Sequence, residues 1–227
     1  MKFKSTMVIS TVILALLFGA LPAAHAQGTT YISNLEANSL SGISIASNAW
    51  VAQSFVTGAN TRGYALDSVQ LGMGPATGTP TGFSVSLFAN NITRNEPSSL
   101  IEILTGSSNP VLAGIFNYTS TGQTMLPSTK YWIVTKAQSS QIGGAFNVSL
   151  ASYFDYTSAD NWWTDRFVQT SSGNSNWVFS QLGFDIHFAI NATTVPEPSF
   201  LVLLGMGGSF LFTRLARKSR SKILRQP

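Results

Sequence analysis

The residues best suited to binding or catalysis are concentrated in one segment, residues 153–166. This segment holds two adjacent tryptophans and three aspartates at five-residue spacing: Trp162, Trp163, Asp155, Asp160 and Asp165. Aromatic faces stack on pyranose rings, and carboxylates accept hydrogen bonds from sugar hydroxyls. The segment is therefore interpreted as a candidate sugar-binding loop.

Three other interpretations of the segment stay open. Aspartate oxygens suit a calcium ion, although the D-x-D-x-D spacing of a calcium loop is absent. Two carboxylates would serve a glycosidase, but nothing in the sequence selects the pair. Tryptophans of a β-sandwich are mostly core residues, so we expect Trp162 and Trp163 to be structural rather than ligand-binding.

The rest of the chain offers few groups for catalysis. It has no cysteine and two histidines, and of these only His187 lies outside the N-terminal segment. A thiolate metal site is excluded, and a Ser-His-Asp triad would depend on His187 without any G-x-S-x-G turn to present the serine. No glycine-rich phosphate loop precedes a helix. We therefore expect no enzyme activity and no cofactor, and we interpret His187 as a surface residue.

The elements that position these residues are predicted to be short strands. Helical periodicity is absent, and β-rich runs recur between clusters of Gly, Pro, Asn and Ser. The predicted strands cover residues 51–56, 64–73, 83–89, 100–104, 114–118, 130–135, 146–151, 177–180 and 184–190. Alternation places Asp185 and His187 on the outer face of the last strand, and residues 72–82 are predicted to form a loop. The pattern predicts an all-β fold, an antiparallel two-sheet sandwich of jelly-roll type.

The chain contains four runs in a defined order and spacing: residues 52–58 (AQSFVTG), 64–71 (YALDSVQL), 83–88 (FSVSLF) and 126–134 (LPSTKYWIV). Together they resemble the choice-of-anchor R domain. The resemblance implies an extracellular domain that is joined to one of several alternative C-terminal anchors. It implies no activity and brings no catalytic residue to this chain.

The chain begins with the features of a signal peptide. Two lysines precede an uncharged apolar run over residues 7–21, and Ala24 and Ala26 then supply the small side chains that signal peptidase requires. We expect cleavage between Ala26 and Gln27, which makes residues 1–26 a signal peptide. The alternative is an uncleaved N-terminal anchor.

The last residues, 195–227, form a second targeting segment. A Pro-Glu-Pro tripeptide precedes an uncharged run over residues 199–213, and six basic residues follow within residues 214–227. Fifteen residues of helix reach about 22 Å, which is short for a hydrocarbon core of about 30 Å. Arginine side chains that extend to the membrane surface, together with local thinning of the bilayer, would compensate for the short helix. The basic cluster should stay cytoplasmic, which places the preceding domain outside.

Pro196, Glu197 and Pro198, followed by a short transmembrane helix and a basic tail, resemble the PEP-CTERM sorting signal of Gram-negative bacteria. The resemblance implies recognition of the tripeptide by an exosortase, a membrane-embedded cysteine transpeptidase. The protein would be anchored transiently in the inner membrane, cut near the tripeptide, and passed to the cell surface or extracellular matrix. The alternative is an ordinary single-pass anchor.

The exported domain, residues 27–194, is mildly acidic. It contains five Lys or Arg and eight Asp or Glu residues, a net charge of −3, so nucleic acid is not an expected partner. We expect an exported, non-catalytic surface or matrix protein whose partners are signal peptidase, an exosortase and exopolysaccharide or the cell envelope. The first alternative is a carbohydrate-binding module that uses Trp162 and Trp163, and the second is a glycan hydrolase.

Overall fold

The structure, a computed structural model, describes residues 28–138, 144–153, 155–170, 176–179 and 183–196. These residues form strands and no helix, so the predicted all-β class is confirmed. The strands are β1 (Thr29–Ser33), β2 (Ser41–Ile45), β3 (Trp50–Val56), β4 (Tyr64–Thr77), β5 (Ser84–Asn91), β6 (Glu96–Ile103), β7 (Gly114–Thr119), β8 (Thr124–Met125), β9 (Lys130–Lys136), β10 (Ala145–Ser152), β11 (Thr157–Ser158), β12 (Trp163–Thr170), β13 (Val178–Phe179), β14 (Phe184–Ile186) and β15 (Phe188–Thr194).

The strands form two antiparallel sheets, which is consistent with a β-sandwich. The larger sheet has nine strands in the order β11-β1-β15-β4-β10-β14, with β2 paired to β10 and with β7 and β8 paired to β4. The smaller sheet has six strands in the order β13-β12-β3-β9-β5-β6. The core cluster draws on both sheets: Phe55, Leu87 and Ile133 come from the smaller one, and Leu66 and Phe188 from the larger.

Strand β4 is longer than predicted because its glycines were interpreted as loop residues. It continues to Thr77, so the predicted loop over residues 72–82 is wrong over its first half. A Cβ atom at Gly72 would lie 2.8 Å from Nδ1 of His187, and one at Gly74 would lie 3.0 Å from Nδ2 of Asn147. These glycines therefore make room for side chains of neighbouring strands rather than breaking the strand.

The predicted last strand is split, and its outward-facing aspartate is buried. β14 pairs with β10, and β15 pairs with β4, with His187 between them. Asp185 is 1% exposed rather than facing solvent, so that prediction is wrong. The alternation rule failed because the chain changes pairing partner at His187, which is itself partly buried rather than a surface residue.

The last strand among the described residues ends just before the Pro-Glu-Pro tripeptide. β15 ends at Thr194, the Val195 N–H donates to the Gly63 carbonyl at 3.2 Å, and Pro196 is exposed. Glu197, Pro198 and the predicted transmembrane segment lie outside the described residues, as do Ala24, Ala26 and Gln27 of the predicted cleavage site. No helix long and apolar enough to cross a membrane occurs within the described part of the chain.

Candidate functional site

Trp162 is a core residue. It is 1% exposed and its ring stacks on Tyr31 with centroids 4.9 Å apart and on Phe55 with centroids 5.6 Å apart. Tyr64 meets it edge-on at 5.0 Å. A ring enclosed by three others is unable to reach a polymer while the sandwich stays closed, so this placement agrees with a structural role.

Trp163 has the opposite environment. It is the first residue of β12 and is 42% exposed. The Lys130 Nζ atom lies over its ring, 5.9 Å from the centroid. Of the two adjacent tryptophans, Trp163 is therefore the one that is placed to meet a ligand.

The three predicted aspartates do not converge on one site. Asp165 forms an ion pair with Lys130 and accepts a hydrogen bond from Asn95 Nδ2 at 3.2 Å. Partial burial by itself raises the pKa of Asp165, but these contacts more than offset the rise and hold the pKa below its ordinary value. Asp160 accepts a hydrogen bond from the Tyr64 hydroxyl at a tight turn (φ +53°), and Asp155 is exposed. The arrangement positions single charges rather than a carboxylate pair.

Cross-strand pairing places Trp163 on the outer face of the six-stranded sheet. Trp163 pairs with Val56, and Val56 pairs with Lys130, so the three side chains share one face. This face is opposite the core, because Phe55, the neighbour of Val56 along β3, belongs to the core cluster.

Three cations lie over aromatic rings on this outer face. Besides Lys130 over Trp163, the Arg166 guanidinium lies 4.7 Å from the Phe179 centroid and the Lys136 Nζ atom lies 5.4 Å from the Trp50 centroid. We name this surface the cation–aromatic face, and its members are Trp50, Lys130, Lys136, Trp163, Arg166 and Phe179. Among the described residues, Asp165 is the one carboxylate within 4 Å of any of these cations.

A second apolar cluster lies in the middle of the same face. Its members are Ala52, Trp132, Val134 and Val168, with Phe88 and Trp177 packed against them. The Trp132 Nε1–H donates to Asn90 Oδ1 at 2.8 Å, which satisfies its polar atom. The four cluster members are 0–2% exposed, so they support the cation–aromatic face from beneath rather than contact a ligand.

The outer face of the nine-stranded sheet differs in chemistry. It carries an open groove of about 1280 Å³ lined by hydroxyl and amide side chains. Several of these groups already bond to one another: Thr30 Oγ1 donates to Asn191 Oδ1 at 2.6 Å, and Asn191 Nδ2 donates to Ser68 Oγ at 3.1 Å. The groove lining contains no aromatic ring among the described residues, so it offers less for ligand binding than the cation–aromatic face.

Asp185 is a buried acid that the sequence did not reveal. Neither of its carboxylate oxygens has a hydrogen-bond partner among the described residues. Burial raises the pKa of Asp185 to about 6. The adjacent Thr164 and Gln53 side chains favour the charged form and offset part of this rise. They do so without forming hydrogen bonds of normal geometry to the carboxylate. The group faces the interior rather than a cleft. Its ionisation therefore lowers the free energy of unfolding as the pH rises.

Within the described ranges, no group of three or more His, Cys, Asp or Glu residues is arranged to hold a metal ion. None of the family models, curated proteins or solved structures compared with this chain matches it.

Proposed function

We propose that this chain is an exported, non-catalytic surface or matrix protein, which an exosortase-type peptidase releases from the inner membrane and which associates with exopolysaccharide or the cell envelope. The observation that carries the proposal is where the last described strand ends. β15 stops at Thr194, and Val195 alone separates it from the Pro196-Glu197-Pro198 motif. A folded domain followed directly by a processing motif is what a sorted precursor requires.

A binding role is favoured over a catalytic one by the placement of the acidic residues. Asp165 is ion-paired with Lys130, Asp160 is hydrogen-bonded by Tyr64, and Asp155 is exposed. A glycosidase needs two carboxylates that flank one bond. The loop aspartates instead support local structure.

Carbohydrate binding is the second candidate function, and the exposure of Trp163 favours it. The ring lies at the surface beside Lys130, where it is able to stack on a sugar. Trp162, which was the other half of the predicted loop site, is enclosed in the core. A binding module would therefore use the sheet face rather than the loop.

Processing of the tail tests the leading proposal. Glu197→Ala should leave a full-length precursor in the inner-membrane fraction, while the parent chain should lose residues 199–227 and reach the cell surface or medium. Deleting the host exosortase should reproduce the Glu197→Ala result. Glu36→Ala, at an exposed position in the domain, is the matched control and should be processed normally. Recovery of the basic C-terminal peptide from the parent protein, together with retention in the inner membrane, would establish a plain anchor instead.

A further inference from the structure

We propose that the cation–aromatic face binds an acidic polysaccharide, whose sugar rings stack on Trp163 and Phe179 while its carboxylates pair with Lys136 and Arg166. This inference rests on the proposed function, because an exported protein meets such polymers outside the cell. It names the class of polymer and the surface that holds it.

The distribution of charge is the first argument. The described residues contain eight acidic and five basic side chains, a net charge of −3. Three of the five basic residues nevertheless lie on the cation–aromatic face. An acidic domain with a positive face presents a local field that attracts a polyanion to that face and repels it elsewhere.

Two of the three cations are available for a ligand. Lys130 is already paired with Asp165, whereas Lys136 and Arg166 have no carboxylate within 4 Å among the described residues. Asp165 interacts electrostatically with Arg166 only from beyond that distance. Each is held over a ring, by Trp50 and Phe179 respectively. A cation–π contact at an exposed site is weak, so it orients the side chain without satisfying its charge. Both cations are thereby pre-organised for an incoming carboxylate.

The exposed aromatic residues provide surfaces on which the sugar rings stack. Trp163 is 42% exposed and Phe179 is 46% exposed, although large aromatic side chains usually bury themselves. The exposed side chains of Leu100 and Ile103 extend the apolar surface at the β6 edge of the same sheet. Exposed Phe179 lies beside Arg166, and exposed Trp163 lies on the same face, which matches a ligand that carries both sugar rings and negative charges.

The dimensions favour a polymer over a single sugar. Lys130 and Lys136 lie at the two ends of β9, six residues apart. At a rise of about 3.3 Å per residue they are roughly 20 Å apart. A ligand that stacks on Trp163, which lies beside Lys130, and also pairs with Lys136 must therefore span several sugar units.

The test compares three polymers with the full chain, purified in a mild detergent. The probes are polygalacturonate, which is acidic and made of pyranose rings, dextran, which is neutral, and double-stranded DNA, which is anionic but offers no exposed pyranose face. We expect the tightest binding to polygalacturonate, weakened by added salt. Arg166→Gln should bind it about threefold more weakly and the double variant Lys136→Gln with Arg166→Gln about tenfold, since each exposed charge pair contributes a factor of about three. Trp163→Ala should weaken it as well.

Arg62→Gln is the matched control, since it makes the same charge change at an exposed turn before β4 of the other sheet. It should change the affinity less than about twofold. Thermal melts of each variant confirm that the fold is retained.

Equal losses of affinity for polygalacturonate in Arg62→Gln and Arg166→Gln would overturn the proposal. Equal affinity of the parent protein for DNA and for polygalacturonate would overturn it too. Either result would mean that the polymer is attracted by charge alone and not bound by one face of the domain. Equal binding to dextran, unaffected by Lys136→Gln and Arg166→Gln, would overturn the acidic ligand class. Absence of binding to every polymer would overturn the proposal as a whole. The proposed export and tail processing are judged separately, by the fate of the Glu197→Ala precursor.

Discussion

Replacement of Asp185 by asparagine should stabilise the protein at neutral and alkaline pH. The carboxylate is 1% exposed and neither oxygen has a hydrogen-bond partner among the described residues, so its ionised form is costly in the folded state. Asparagine keeps nearly the same shape and never ionises. The gain should be absent in acid, where the carboxyl group is neutral in both the folded and the unfolded chain.

The expected magnitude follows from the pKa of Asp185. Burial raises it from 3.8 to about 6, and a two-unit difference between folded and unfolded states corresponds to about 3 kcal/mol. Below about pH 4 the carboxyl group does not affect the free energy of unfolding. As the pH rises from about 4 to 6 the unfolded state releases its proton first, so stability falls, and it levels off above about pH 6.

The assay is urea unfolding of the parent protein and of Asp185→Asn at pH 4 and pH 8, followed by tryptophan fluorescence. The variant should be more stable by about 2–3 kcal/mol at pH 8 and by less than about 1 kcal/mol at pH 4. Asp155→Asn, at an exposed position, is the matched control and should stay within about 0.5 kcal/mol of the parent at both pH values. If the difference between the parent protein and Asp185→Asn is the same at pH 4 and pH 8, or if the variant is the less stable protein at pH 8, the reasoning fails.

Two further predictions concern the fold. Trp162→Ala should lower the free energy of unfolding by about 3–5 kcal/mol, because it empties the space between three packed rings. Trp163→Ala at the surface should change it by less than about 0.5 kcal/mol. Comparable losses in urea titrations would contradict the assignment of one ring to the core and one to the surface. The isolated segment of residues 27–195 should fold alone with a β-type far-ultraviolet circular dichroism spectrum that a chelator leaves unchanged, and a helical spectrum or chelator-induced unfolding would count against this.

Much of the strand pattern was predictable because strands with alternating faces and polar turns leave a local signal. Strand β12 was missed for a physical reason. Its pairing with β3 shifts register between Thr164 and Phe167, so an irregularity breaks the alternation that would have revealed it. The same segment was therefore interpreted as a loop, and its aromatic and acidic residues were grouped into one site.

The cation–aromatic face was not predictable from the sequence. Trp50, Lys136 and Trp163 come from three different strands, and only the pairing of those strands places them on one face. A local pattern carries no information on which strands are neighbours across long separations. Asp185 escaped prediction in a similar way, because its burial depends on the change of pairing partner at His187.

The position of β15 has a mechanical consequence for a protein that is tethered at its C-terminal end. β15 is paired on both sides, with β1 from Thr29 to Ser33 and with β4 from Tyr64 to Leu71. A force applied at Val195 runs along the strand, so it loads the hydrogen bonds of both ladders in parallel, in shear, rather than peeling them apart one at a time. A C-terminal anchor of the kind proposed above would therefore pull along a strand that two ladders hold, and drag on the domain would be borne by many hydrogen bonds at once.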